Sequence, residues 1–307
     1  MAHPGYVLLR ARAHESRPQR DAAYLAIGVI GMSAFEERKI DCHVHILDPA
    51  RFPYAPDVKY EPSGQEIGTA EQLAAVRNFH GVNHCLIVGP NSGYGNDNRC
   101  LLDTIRRGDG SYKGIAVVPN MCDRETLAAL KVMGIVGIAI NATYHSVAYY
   151  ANIGPLIGHL EALGMYLQIQ TEGDQLVGLL PHIEDRAVKI LIDHCGRPII
   201  ADGLKQPGFA ALCRLGASGR CFVKLSGFAK FSRERFPHRD VWPFIEALVE
   251  SHSLDGCMWA SDWPHLRAPE RIDYGPLLQM VDLLFPRAAD RAKLLWDTPM
   301  RLFQFGA

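Results

Sequence analysis

The chain has 307 residues, of which 48% are hydrophobic and 21% are charged. This length allows a large buried core, and this composition excludes a disordered or collagen-like chain. Thirty-two basic residues stand against thirty-three acidic ones, for a formal net charge of −1, so no global field attracts nucleic acid or an anionic membrane and a small-molecule partner is favoured.

Cysteine usage and the first segment bear on the compartment and on the start of the domain. Eight cysteines are scattered without a Cys-x-x-Cys pair, which indicates reduced thiols in a cytoplasm rather than a disulfide scaffold or zinc ribbon. Residues 1–35 place a basic stretch before a short apolar run, as a secretory signal does. The length of the basic part and Asp21 beside the apolar run favour an upstream extension, with Met32 rather than Met1 as the true start. We expect residues 1–35 to be poorly ordered and residues 36–307 to form one domain.

Eight short apolar or β-branched runs follow, and longer amphipathic segments separate them. Continuous apolar runs are typical of strands buried on both faces, as in a parallel sheet. The predicted strands cover residues 39–46, 84–89, 114–119, 135–140, 165–170, 188–194, 221–226 and 256–262. The predicted helices, where Leu, Ala and Val recur at helical spacing, cover residues 70–79, 125–133, 153–163, 209–215 and 241–251. This alternation predicts an α/β fold, a single-domain (β/α)8 or TIM barrel, and no apolar run is long enough to span a membrane.

Polar side chains close three of the predicted strands, at the end where barrels of this kind hold their active sites. His43 and His45 close the first strand, and their i, i+2 spacing directs both imidazoles to one side. His194 closes the sixth strand and Asp262 closes the eighth. Taken singly, each has a simpler explanation, a satisfied core imidazole or a helix cap. Together, at independently predicted strand ends, they predict a catalytic cluster.

The segments around these four residues resemble the amidohydrolase superfamily. The resemblance is carried by HVH at 43–45, VKLSG at 223–227, LIDHCGRP at 191–198, WASDWPH at 259–265 and WDTPMRLF at 296–303. Over residues 39–305 the order of these motifs is similar to that of the lactonase branch, which includes 2-pyrone-4,6-dicarboxylate lactonase and several sugar lactonases. The resemblance implies a hydrolase that opens a cyclic ester in aromatic-compound or sugar-acid catabolism.

The resemblance also implies a mechanism and bears on metal dependence. Water would attack the lactone carbonyl, with Asp262 as general base and the three histidines polarising the carbonyl oxygen. A binuclear centre would need a Lys or carboxylate after the fourth strand and a His after the fifth. This chain has Asn141 at the first place and Gln168 or Gln170 at the second, and amides are poor zinc ligands. We therefore expect no required cofactor, with one zinc ion held by the four candidate catalytic residues as the alternative.

Substrate identity is where the chain departs from the dicarboxylate-specific pattern. That pattern has two arginines on the fourth strand to clamp carboxylates, and Val136 and Ala139 occupy those places here. We therefore expect a less basic pocket for a mono-carboxylate or neutral lactone, with at most one anionic contact, from Lys230. The candidate substrate contacts are Ser92, Asn141, Tyr144, Gln170 and Lys230.

Two rival functions fit the sequence less well than lactone hydrolysis. A metal-dependent decarboxylase of the same superfamily would carry a histidine after the fifth strand, which is absent here. A non-catalytic small-molecule binder would have no need of the three histidines and Asp262. No nucleic-acid or membrane partner is expected, and the oligomeric state stays open.

Overall fold

The computed structural model describes residues 33–306. Of the predicted extension over residues 1–35, all but the last three residues lie outside this range; Ala34 within it is buried. Eight strands form one parallel sheet in chain order, each overlapping one predicted run, so the predicted barrel is confirmed. The strands are β1 (Lys39–Val44), β2 (Val82–Val88), β3 (Tyr112–Ala116), β4 (Ile135–Asn141), β5 (Tyr166–Gln170), β6 (Lys189–Ile192), β7 (Cys221–Leu225) and β8 (Cys257–Trp259).

The barrel closes between β8 and β1 just beyond the carboxyl end of β8. The backbone N–H of Asp262 donates to the carbonyl oxygen of His43 at 2.9 Å, and that of His45 donates to the carbonyl oxygen of Trp263 at 2.8 Å. Closure therefore runs through the backbone of three predicted catalytic residues. This pairing fixes the distance between the two strand ends that carry them.

Helices follow the strands around the outside of the barrel. α1 shows why they begin where they do: Thr69 and Gln72 form a capping box at its first turn, which satisfies free N–H groups. The five predicted helices are confirmed, and several that the sequence analysis missed are added. The helices are α1 (Ala70–Phe79), α2 (Arg99–Arg107), α3 (Arg124–Val132), α4 (Gly154–Leu163), α5 (Gln175–Ile183), α6 (Pro207–Gly216), α7 (Trp242–His252), α8 (Tyr274–Leu284), α9 (Ala288–Ala292) and, after a π-helical turn at Lys293–Asp297, α10 (Thr298–Phe303).

Two apolar layers hold the barrel together. The larger lies between the strands and the surrounding helices. The smaller fills the barrel interior, where Tyr166 packs against Phe222 and Phe303, and Phe303 packs against Phe305. The interior is thus packed with side chains below the mouth at the carboxyl end of the strands. Among the helices described here, none combines the length and apolarity needed to cross a bilayer.

Candidate active site

A bulge in β1 sets the direction of its two histidines. β1 and β2 are in register at Asp41 with Cys85 and at Val44 with Ile87. Three residue steps in β1 therefore lie opposite two in β2. The extra residue breaks the strand's alternation of sides, which is a common device beside active sites. Because of this bulge, His43 faces the barrel interior although the residue before it, Cys42, also faces the interior.

A chain of polar contacts crosses the barrel mouth from β7 to β2. Lys224 Nζ lies 3.1 Å from His43 Nδ1, and His43 Nε2 lies 3.2 Å from His45 Nε2. His45 Nδ1 lies 2.8 Å from the carbonyl oxygen of Val88. Because a carbonyl oxygen only accepts, His45 carries a proton on Nδ1. The assignment that makes each of these contacts a hydrogen bond places the His43 proton on Nε2.

The Lys224 ammonium is fully buried and has three acceptors around it. Besides His43 Nδ1, they are Gln168 Oε1 at 2.6 Å and Asp193 Oδ1 at 3.1 Å. Burial lowers the pKa of His43 to about 4, and the Lys224 charge adds to this effect. Burial alone would raise the pKa of Asp193, but Lys224 and His43 hold it well below its usual range. At neutral pH a neutral imidazole thus lies beside a buried ion pair.

Asp262 stands just beyond β8 and is buried. Its Oδ2 pairs with Lys230 Nζ at 2.5 Å. Its Oδ1 is buried and has no hydrogen-bond partner among residues 33–306, and the Nε2 atoms of all three predicted histidines lie 3.6 to 3.8 Å from it. Burial alone would raise the pKa of Asp262, but Lys230 and His194 hold it well below its usual range. The cluster therefore presents an ionised carboxylate with one oxygen available to take up a proton.

His194 lies in a left-handed turn that follows β6. The backbone φ is positive at four successive residues, His194 (50°), Cys195 (57°), Gly196 (71°) and Arg197 (44°). Only glycine adopts this conformation freely, and each other residue type pays about 1–2 kcal/mol for it. Inside the turn, His194 Nδ1 lies 2.9 Å from Ser226 Oγ, and burial lowers the pKa of the imidazole well below its usual value. His194 is therefore a neutral side chain fixed in direction, with Nε2 toward Asp262.

A cavity of about 370 Å³ opens at the carboxyl ends of the strands, and His45 and His194 line its floor. Asn141 Nδ2 donates to Gln170 Oε1 at 3.3 Å, so the two amides hold each other in place at the wall. Tyr144 accepts a hydrogen bond on its hydroxyl from the backbone N–H of Lys59 at 2.7 Å. All five residues predicted to contact substrate line this cavity: Ser92, Asn141, Tyr144, Gln170 and Lys230.

Several polar residues of this site were missed by sequence analysis. Arg197 and Arg267 also line the cavity, so it carries more positive charge than the single Lys230 contact that was expected. Lys224 and Asp193 were not predicted as site residues either. A lysine within an otherwise apolar strand was the available signal for that pair, because a buried ammonium needs a carboxylate partner.

The donor atoms of the cluster fit one divalent metal ion. Atoms of His43, His45 and Asp262 lie within 4.8 Å of one another, and His194 Nε2 faces the same carboxylate oxygen. Three imidazole nitrogens and one carboxylate oxygen are a donor set that zinc accepts. This use requires the other tautomer of His43, in which Nδ1–H donates to Asp193 Oδ1 at 3.2 Å and Nε2 is free to bind. The proton on His43 Nε2 thus corresponds to a metal-free site, and the proton on Nδ1 corresponds to a site that can bind a metal ion.

Comparisons with known proteins agree with the fold and with the motif resemblance. The family model described as Amidohydrolase matches residues 40–305. A 4-sulfomuconolactone hydrolase from Rhizobium radiobacter is 33% identical over 270 residues, covering 86% of this chain and 89% of that protein. A 2-pyrone-4,6-dicarboxylate hydrolase from Comamonas testosteroni is 28% identical over 277 residues, covering 86% and 89%. A solved structure from Acinetobacter baumannii, described as a probable 2-pyrone-4,6-dicarboxylic acid hydrolase, superposes with a TM-score of 0.79 at 24% identity, covering 87% of this chain and 99% of that one.

Proposed function

The chain belongs to the amidohydrolase family, and from this premise we propose that it hydrolyses a small-molecule lactone by attack of water on the ring carbonyl. The observation that carries the proposal is the Oδ1 atom of Asp262, which is buried and has no hydrogen-bond partner among the described residues. It faces three imidazoles, and two of them, His45 and His194, line the cavity. The relatives that are named lactone hydrolases support the same reaction class.

Asp262 is the general base in this proposal. As water adds to the carbonyl carbon, one water proton passes to Oδ1, while Oδ2 stays paired with Lys230. The ring C–O bond then breaks, and the protonated carboxyl returns the proton to the leaving oxygen. Because the pKa of Asp262 lies well below its usual range, the carboxyl is a weak base but a strong acid once protonated, which favours the second proton transfer.

Lys230 and His194 are the donors to the carbonyl oxygen. An ammonium has three N–H donors and Asp262 uses one of them. His194 is neutral and lines the cavity, and its Nε2, which faces Asp262, carries the proton when Ser226 donates to Nδ1. Preorganised donors of this kind stabilise negative charge as it develops on the carbonyl oxygen. His43 and His45 contact each other, and their further contacts with Lys224 and the Val88 carbonyl fix this side of the site.

We further propose that this chemistry needs no metal. Buried Lys224 has three ammonium protons and three acceptors, and one of these acceptors is His43 Nδ1. If that nitrogen carried the proton, as metal binding through Nε2 requires, it would donate to Asp193 Oδ1 instead, and one ammonium proton of Lys224 would lose its acceptor. Lys230 and Lys224 also balance the charges of Asp262 and Asp193, so a divalent ion would add uncompensated charge. If zinc does bind, the three histidines and Asp262 would hold it, and it would supply Lewis-acid polarisation of the carbonyl.

The test is hydrolysis of a panel of muconolactone-type, pyrone and sugar lactones by purified protein of known metal content, with and without chelator. We expect turnover of at least one lactone in metal-free protein that persists with chelator. Asp262→Asn should lower kcat by about 10²- to 10⁴-fold, the range for loss of a general base. Asp273→Asn is the matched control, because that carboxylate lies further along the same loop and pairs with Arg271 on the surface.

The outcomes separate the two parts of the proposal. Stoichiometric zinc, with lactone hydrolysis lost on its removal, would overturn the metal-independent mechanism and leave the reaction class intact. Absence of turnover for every lactone, with or without added zinc or manganese, would overturn lactone hydrolysis itself.

A further inference from the structure

Positive charge lies at the rim of the cavity, where the lactone-opening steps do not use it. Arg197 comes three residues after His194, and Arg267 comes five residues after Asp262. Both arginines line the same cavity as Lys230. Each therefore stands on a loop that continues from a catalytic residue, and both have backbone φ in the left-handed region, 44° and 53°. Backbone strain of this kind in non-glycine residues is typical of functional loops.

Arg197 is only partly neutralised by the protein. Its Nη2 lies 3.2 Å from Glu172 Oε2, and the Glu172 side chain is 51% exposed. Its Nε is buried and has no partner among residues 33–306. A buried N–H of a guanidinium without an acceptor is costly to leave unpaired. The Nε atom is thus a donor that lacks an acceptor within the described chain, and it belongs to a side chain that lines the cavity.

Arg267 has no carboxylate partner among the described residues. Its backbone N–H donates to Glu66 Oε1 at 2.5 Å, which anchors the loop to the segment before α1. Its guanidinium lies over the ring of Tyr60, with 5.3 Å between the central carbon and the ring centroid. Stacking on an aromatic ring orients a guanidinium and leaves its in-plane N–H groups available. The guanidinium is therefore held against an aromatic ring and makes no ion pair with a carboxylate of residues 33–306.

We propose that Arg197 and Arg267 form an anion subsite, which binds a carboxylate or sulfonate substituent of the lactone while the ring carbonyl lies at Asp262. This inference rests on the proposed lactone hydrolysis and names its substrate class. Guanidinium groups recognise planar or tetrahedral oxyanions through paired N–H donors. The two arginines would replace, from the loops after β6 and β8, the cationic contacts that Val136 and Ala139 of β4 cannot provide.

The first test compares an anionic lactone with its neutral ester. A muconolactone-type lactone with a free carboxylate and the corresponding methyl ester are assayed with wild type, Arg267→Gln and Arg197→Gln. We expect the selectivity for the anionic lactone, the ratio of the two kcat/KM values, to fall about 10- to 100-fold in each variant, mainly through KM. Arg271→Gln is the matched control, because Arg271 pairs with Asp273 and faces a neighbouring cavity instead; it should keep the wild-type ratio.

A second test does not depend on turnover. An oxocyclopentane carboxylate has a ring carbonyl and an anionic group but no ester bond, and its carboxamide is neutral. By calorimetry, wild type should bind the carboxylate at least about tenfold more tightly than the carboxamide, and Arg267→Gln should abolish the difference. Equal binding of the two probes, or an unchanged selectivity ratio in both arginine variants, would overturn the subsite even if lactones are hydrolysed. Preferential carboxylate binding without turnover of any lactone would support the subsite and count against the proposed reaction.

Discussion

The buried pair of Lys224 and Asp193 makes a quantitative prediction about stability. Their charged atoms are 3.1 Å apart with 0% and 2% side-chain exposure, and with an effective dielectric constant of about 20 their attraction is about 5 kcal/mol. Lys224→Met removes the ammonium and leaves an ionised carboxylate in the barrel interior. We expect this variant to lower the free energy of unfolding by about 3–5 kcal/mol. Asp193→Asn leaves the ammonium without its carboxylate and should also be strongly destabilising.

The double variant Lys224→Met/Asp193→Asn separates the pair from its two parts. It removes both charges, so it should cost about 3 kcal/mol less than the sum of the single variants. The measurement is urea unfolding at pH 7, followed by circular dichroism. Lys293 and Asp255 provide the control, because they lie 3.0 Å apart but are 46% and 61% exposed, and their coupling should be below about 1 kcal/mol. Additive losses at Lys224 and Asp193, within about 0.5 kcal/mol, would refute the assignment of a coupled ion pair.

Two further predictions concern pH and a close backbone approach. Burial lowers the pKa of His252 to about 4 from a usual value of 6.5. Between these two pH values the unfolded chain binds a proton that the folded chain does not, so the free energy of unfolding should fall by up to about 3 kcal/mol as pH drops from 6.5 to 4. In urea titrations His252→Gln should show a shallower pH dependence than wild type, and an equal slope in the two proteins would contradict the reasoning. Gly227→Ala places a Cβ 2.8 Å from the His194 ring at a φ of 63°, so kcat should fall at least about tenfold together with stability. Gly64→Ala is the control, since its φ is 56° with no atom within 4 Å; it should cost only about 1 kcal/mol and leave kcat unchanged, and similar kcat losses in both variants would rule out displacement of His194 as the cause.

The strands were predictable because they fall on short runs dominated by apolar residues, which are typical of parallel strands covered on both faces. Two missed helices show where such patterns fail. Arg99–Arg107 is short, has arginines at both ends and contains Asp103 in its middle, and Gln175–Ile183 contains Pro181 within its span. In both, packing of the apolar face against the barrel decides the structure, and local propensity does not.

Some residues of the site could likewise be predicted from sequence patterns, and others could not. Strand-end position and motif resemblance predicted His43, His45, His194 and Asp262 as a cluster, and the structure places them together. The bulge in β1 left no signal, since its effect depends on the register against a strand 40 residues away. The rim arginines were missed for a related reason, because a positive φ in a loop sets a side chain's direction and depends on contacts remote in sequence.

The left-handed turn after β6 has a consequence for how this chain can change over generations. Three non-glycine residues in that turn together hold about 3 kcal/mol or more of strain, a large share of the roughly 5–15 kcal/mol by which a domain is stable. Selection for heat resistance alone would favour glycine or asparagine there. Selection for turnover opposes that drift, because a freer backbone would release the imidazole from its fixed direction. The turn is therefore a place where robustness and catalytic fitness are in direct conflict.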